Sequence, residues 1–209
     1  MELREAIYSR RAVREFTAEP VDRAALLRLI DAAIQAPSAV NAQPWSFSVV
    51  QDRTVLARIS KESKAYLLRT PSKTVSSRRL TDMLRKAHLL RAPPTEVSSQ
   101  RLTDMLRNPE FDIFYRAPAL IVISSVTANE WAIENCSLAA ENLMLAACAE
   151  GLGSCWIGFA QAWLNTKAGK ASLGLPASYL AVAPLIVGQP KGPPAPVTRK
   201  APEIHWVGG

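Results

Sequence analysis

Three arginines, Arg10, Arg11 and Arg14, stand just before Phe16, with the small residue Ala12 among them. A guanidinium is planar, permanently charged and able to bind phosphate oxygens through paired N–H donors. If this stretch runs extended, alternate side chains share a face, so Arg10, Ala12 and Arg14 point one way and Arg11 the other. Two such forks flanking a small residue leave room for a phosphate. The competing reading is that the arginines cap the last carbonyls of a helix over Leu3 to Ser9. A second polar stretch follows, Pro37-Ser38-Ala39-Val40-Asn41-Ala42-Gln43-Pro44-Trp45. The amides of Asn41 and Gln43 both donate and accept hydrogen bonds, as the edge of a planar heterocycle requires. An ordinary polar turn is the commoner explanation of any one such loop. The two stretches together point to a phosphorylated, planar cofactor held without a glycine-rich phosphate loop.

These residues need elements to carry them. Asp22 is a natural N-cap for a helix running to about Gln35, whose Leu26, Leu27, Leu29, Ile30, Ala33 and Ile34 recur at helical spacing. Pro37 stops it, and the amide loop then leads into a strand over Ser46 to Gln51. Ala119 to Val126 is a β-branched run suited to a buried strand. Trp131 to Glu150 is a long helix ended by Gly151, and its composition leaves so little polar face that it should be buried nearly all round. In a chain this short, that means packing between a sheet and a partner subunit, or else a central position in a monomer. Ser154 to Phe159 and Leu180 to Val187 read as further strands, and Asn165 to Leu173 as a short helix. Helices and strands mix without regular βαβ alternation, so the fold class is α+β.

Bulk properties set bounds. The chain has 209 residues, enough for one domain with a full core. Its start lacks the pattern of a secretory signal, and no apolar run is long enough for a membrane span. Cys136, Cys148 and Cys155 show no zinc-like spacing and read as reduced thiols of a cytoplasmic protein. His88 and His205 are too few for a histidine metal site, so no metal is expected. The net charge of +7 comes mostly from residues 62–107, which hold ten lysines and arginines against four acids. Such a run is usually a solvated surface. No nucleic-acid reader motif or row of stacking aromatics accompanies it, so nucleic acid is not an expected partner.

That basic segment holds a duplication. Residues 75–85 recur as residues 97–107 at an offset of 22, with Arg78 against Gln100 as the one difference. Two copies do not make a solenoid. The expectation is a single domain over 1–209 with a duplicated basic insertion around 75–107, one copy being superfluous to the fold. The prolines at 71, 93, 94 and 109 suggest partial disorder or a lid there. The proline-rich stretch from Lys191 to Pro202 reads as an extended tail crossing the surface or a partner.

The arginine stretch and the Pro-Ser-x-x-Asn-x-Gln-Pro-Trp stretch, in this order, resemble the nitroreductase family of FMN-dependent oxidoreductases. One departure is visible: Ala12 stands where a serine is usual. The resemblance continues in Gly151-Leu152-Gly153-Ser154-Cys155-Trp156-Ile157-Gly158, similar to the family's flavin-facing segment. It extends through Val187-Gly188-Gln189-Pro190-Lys191-Gly192, Arg199-Lys200 and Trp206 at its C-terminal end. It implies a three-layer sandwich of helices around a mostly antiparallel sheet, in an intertwined homodimer with two flavin sites at the subunit interface. On that pattern Arg10, Arg14 and Arg199, with Lys200 nearby, neutralise the FMN phosphate, and Arg11 and Ala12 also belong to the cofactor site. Arg14 also sits near the pyrimidine edge. Pro37, Ser38, Ala39 and Asn41 face the FMN of the other subunit, and Asn41 and Gln43 bond the ring or ribityl chain. Backbone N–H groups around Trp156, Ile157 and Gly158 reach N5. The resemblance further implies that NADH or NADPH reduces the flavin and leaves, and a small-molecule oxidant such as a nitroaromatic or quinone then enters, by ping-pong kinetics. No catalytic side chain is needed, since flavin N5 carries the chemistry. Two other readings remain at this point, beside a less favoured one of a basic nucleic-acid-binding module. One is an FMN-binding redox sensor. The other is a reductive dehalogenase-like relative, whose Glu, Tyr and Lys lid Glu62, Tyr66 and Lys64 match only loosely in spacing.

Overall fold

A computed structural model of the chain describes residues 1–70 and 96–208. Its centre is the β-branched run of the sequence. Ala119–Ser125 forms β2, buried at every position, and Leu180–Gly188 forms β4 beside it. Trp45–Val50 (β1) and Gly153–Trp156 (β3) complete one sheet in the order β1-β2-β4-β3, every pair antiparallel. Alternation along β2 sends Leu120 and Val122 into one core and Ala119, Ile121 and Ile123 into the other. Pro184 lies inside β4 although it lacks a ladder donor, and the register shift between Ile123 and Ser124 lies next to it, the kind of bulge that accommodates a strand proline.

Helices cover both faces. Arg23–Ala33 (α2) and Ala132–Ala149 (α5) pack on one side, with Leu3–Ser9 (α1) against α5. Arg53–Arg69 (α3), Glu96–Arg107 (α4), Gly158–Leu164 (α6) and Lys167–Ser172 (α7) lie on the other. The expected three-layer α+β sandwich is therefore the observed one. Asp22 holds the N-cap position of α2, although its side chain makes no capping bond; Asp52 does cap α3, accepting from the N–H groups of Thr54 and Val55. Gly151 (φ 76°) ends α5 in the left-handed region. Its N–H donates to Cys148 and that of Leu152 to Ala147, so two otherwise orphaned carbonyls are satisfied.

Two expectations change. First, β3 ends at Trp156 and Gly158 opens a helix, because Phe159, Ala160, Trp163 and Leu164 are buried at helical rather than strand spacing. Second, the short helix expected over Asn165 to Leu173 is α7 alone. Thr166 caps it, while Asn165 leaves the helix to clasp the backbone of Ala181 through both a donor and an acceptor. Within the single chain, α5 keeps an exposed side. Cys136, Ala139, Ala140 and Leu143 are inaccessible, but Trp131, Ile133 and Leu138 are about half exposed. The second copy of the duplication is α4, and Leu102, Met105 and Leu106 anchor it on the α3 side of the sheet. The first copy, with the expected disorder or lid around it, lies outside the described residues. Cys136, Cys148 and Cys155 are free thiols, and burial pushes that of Cys136 up to about 12.

Candidate cofactor site

The arginine stretch is a surface segment fixed by its apolar neighbours. Val13 and Phe16 are buried in the core on the α3 side. Between them the backbone joins the outer edge of β3: Ala12 bridges Ser154, the Val13 N–H donates to the Ser154 carbonyl (3.0 Å), and Phe16 bridges Pro190. Gly153 makes this approach possible, since a Cβ there would lie 2.8 Å from that of Val13. A cleft of about 550 Å³ opens beside this segment, lined by residues 10–15, 191–195, 197 and 199. Arg10, Arg14, Lys191 and Arg199 supply positive charge to it, and Glu15 is the acid in the lining. Such a donor set fits a phosphorylated ligand, because cations outnumber the acid and three are planar forks.

The arginines divide the work. Arg11 does what the helix-capping alternative requires. Its Nη1 donates to the carbonyls of Tyr8 (2.7 Å) and Arg10 (2.8 Å). Its buried Nε has no hydrogen-bond partner. Arg10 stays at the cleft with Glu141 of α5 as a loose ion partner (3.6 Å). Arg14 lies over the ring of Tyr115, 5.8 Å from its centroid. Behind them is Cys155 on β3, whose thiol burial pushes up, against the opposing charges of Arg14 and Arg10. Lys200 does not border the cleft; Lys191 does, although its place in the segment after β4 was the sequence's only hint of it.

The amide loop stands elsewhere. It precedes β1, at the sheet edge opposite β3. Trp45 pairs across β2 with the start of β4, at Leu180, whereas Ser154 pairs near its end, at Val187. Three strand spacings across and several residues along put those two points more than about 20 Å apart. None of residues 37–43 borders the arginine cleft. The loop is strained: Val40 (φ 48°), Asn41 (φ 55°) and Gln43 (φ 47°) are all left-handed, and the β-branched Val40 is 97% exposed. Three contacts to side chains fix it. The Gln43 N–H donates to Ser38 Oγ (2.9 Å), Gln43 Nε2 to Asn41 Oδ1 (2.9 Å), and the Ala39 N–H to Asn135 Oδ1 (3.0 Å). Asn135 is a buried residue of α5 whose carbonyl also accepts from Trp45 Nε1. A polar residue on an otherwise apolar stripe was the available signal for it.

The third expected segment is partly committed. The Ile157 N–H donates to the Pro184 carbonyl (2.8 Å), so it is spent on the sheet and cannot serve a flavin N5. Gly158 begins α6, and Trp156 is half-buried against the α2–α5 core. A larger cavity, about 710 Å³, lies between α3, the end of α4 and residues 109–117 and includes none of the expected site residues. Lys64 borders it but is spent on the carbonyls of Asn108 (2.8 Å) and Phe111 (2.6 Å), and Tyr66 packs on the core. Of the loosely matched Glu62, Tyr66 and Lys64, those contacts engage Lys64. Among the described residues no cluster of metal-ligating side chains occurs, and no helix is long and apolar enough to cross a membrane.

The model of the nitroreductase family matches residues 7–189. A stretch of 55 residues is 40% identical to a protein of Archaeoglobus fulgidus whose provisional name pairs NADH dehydrogenase with NAD(P)H nitroreductase. That match spans 26% of this chain and 32% of the relative, about a third of the relative's length. Among solved structures, a nitroreductase of Bacteroides fragilis NCTC 9343 with bound FMN superposes with a TM-score of 0.79, at 23% identity over 99% of both chains. An FMN- and NADPH-dependent nitroreductase from Sphigopyxis sp. strain HMH superposes at 0.71, with 23% identity over all of both chains.

Proposed function

The chain belongs to the nitroreductase family, and from that premise we propose that it is an FMN-dependent oxidoreductase. It uses NADH or NADPH to reduce a small-molecule oxidant of the nitroaromatic or quinone kind, by a ping-pong mechanism, as a homodimer. The observation that carries this reading is the division of polar groups between opposite corners of one sheet. One corner offers cations without ring-reading amides; the other offers amides on an exposed, strained loop without cations. A second copy brings the loop of one protomer to the cleft of the other. Apolar surface for such an assembly exists on Leu3, Ile7 and Tyr8 of α1 and on Ile133 and Leu138 of α5, all about half exposed or more.

In this assignment Arg10, Arg14, Arg199 and Lys191 neutralise the phosphate, and the bound flavin supplies hydride acceptance at N5 and electron transfer to the oxidant. Asn41 and Gln43 of the second protomer orient the ring. Their mutual hydrogen bond and the left-handed backbone set those amides before any ligand arrives, which limits the ordering cost of binding. Arg14 would supply positive charge that favours reduced flavin, which carries negative charge near its pyrimidine edge.

An absorbance spectrum of the purified protein, followed by anaerobic addition of NADH and then NADPH, tests the proposal. Flavin bands that bleach on addition are expected. Flavin that stays oxidised makes the protein a sensor or gives it another donor, and absence of flavin after FMN reconstitution overturns the reading.

A further inference from the structure

We propose that Tyr115 is a positioning residue that sets the place of Arg14 at the flavin site. The inference rests on the FMN reading of Arg14 given above. An arginine side chain has many rotamers, and a cation that tunes a cofactor must be held to one. Nothing in the sequence neighbourhood of Arg14 does so. The carbonyl of its neighbour Glu15 accepts from the Lys191 N–H, and Arg10 has Glu141. What faces the Arg14 guanidinium is the ring of Tyr115, far along the chain, at 5.8 Å from the centroid.

Tyr115 is built to stay there. It and Arg116 are consecutive left-handed residues (φ 53° and 57°), a conformation unfavourable to both side chains. Asp112 over-determines that turn. Its carboxylate accepts from the N–H groups of Phe114 and Arg116 (both 3.0 Å), and its carbonyl accepts from that of Tyr115 (3.0 Å). The ring is braced edge-on by Phe111 (6.0 Å between centroids), itself edge-on to Phe159 of α6 (6.3 Å). Lys64 of α3 then fixes Phe111 from behind, through its carbonyl and over its ring. Strain retained at one surface turn, with three aromatic rings and a lysine aimed at keeping it, is a cost that marks a functional constraint. The half-buried phenol is pushed up by burial and pulled back by the Arg14 charge, as close approach of the two groups requires.

The test compares FMN affinity of the apoprotein and the midpoint potential of bound FMN in Tyr115 variants, in Arg14→Ala and in their combination. Tyr115→Asn removes the ring while keeping a residue that tolerates left-handed backbone. Tyr115→Leu is the second ring-free variant, so a folding failure of one, seen in its melting curve, leaves the other to decide. Either should weaken FMN binding about threefold to tenfold, the scale of a cation–ring contact, and lower the potential in the direction that Arg14→Ala does. Tyr115→Phe should stay within about twofold of the parent, because the π face remains. Adding a ring-free change to Arg14→Ala should cost nothing further. Wild-type affinity and potential in the ring-free variants, or losses that add to those of Arg14→Ala, overturn the role of Tyr115 alone. An unaltered Arg14→Ala removes the flavin reading of Arg14 and this proposal with it.

Discussion

The two polar corners of the sheet are built on opposite principles. At the β3 corner the backbone is relaxed and paired. Residues 12–16 are stitched to β3 and to the segment after β4, and the side chains carry the function. At the β1 corner the backbone is strained, the loop tip is exposed, and amide side chains lock onto each other rather than onto the core. Cations attract an anion over a distance and tolerate some slack. Amides recognise a ring only at hydrogen-bond range, so their geometry must be fixed in advance. A corner that works by charge can rest on an ordinary strand edge, whereas one that works by direction has to hold a shape the chain would not choose.

The largest effect should come from breaking the relaxed corner. Gly153→Ala drives a Cβ into Val13, and Val13 has no slack because it is buried. We expect a loss of about 1–3 kcal/mol, the usual cost of overpacking, together with lost FMN binding; thermal melts and flavin titration measure both. Retained affinity would mean that the arginine stretch does not depend on its pairing with β3. Next is Asn135→Ala. It strips the Ala39 N–H of its acceptor, and a cost of about 1–2 kcal/mol is expected from leaving that donor unpaired. The β3 corner should be untouched, so phosphate-end contacts persist while ring recognition weakens. FMN should then lose more affinity than riboflavin-free phosphate analogues do in competition, and equal losses would erase the proposed division between corners.

Smaller changes sharpen the contrast. Val40→Asn places a residue that accepts left-handed backbone where a β-branched one sits. It should raise stability by up to about 1 kcal/mol, read as an increase in Tm. A drop would show that the Val40 side chain is itself needed, for instance in the dimer. Deletion of residues 75–96 should have the smallest effect of the four, since it leaves the second copy of the repeat, residues 97–107, in place. Flavin content should hold as well. Loss of both fold and flavin would mean that the duplicated insertion supports one of the corners.

Much of this was legible along the chain. The Leu3–Ser9 helix, the β2 run and the Gly151 stop follow from local preferences, and Arg10, Arg14 and Arg199 do share a cleft. What escaped is what only tertiary approach creates. Asn135 lies 96 positions from Ala39, and Tyr115 is still more remote from Arg14, so no short window along the sequence contains either pair. Lys191 enters the cleft because Phe16 bridges Pro190. Gly158 was read as strand because a short apolar run fits both periods, and burial of Trp163 and Leu164 was needed to decide. Arg11 lines the same cleft, while its Nη1 reaches the helix carbonyl of Tyr8, a contact that local spacing alone leaves open.

Helix α5 serves both corners at once. Asn135 holds the amide loop, and Glu141, six residues and about 9 Å further along, reaches Arg10. Its inner face, from Ala132 through Ala147, is among the least accessible surface of the chain. Amide protons along that face should therefore be among the slowest to exchange with solvent, released only when the whole domain opens. On heating, flavin release would then coincide with loss of the fold, with no earlier stage in which an intact scaffold carries an opened site.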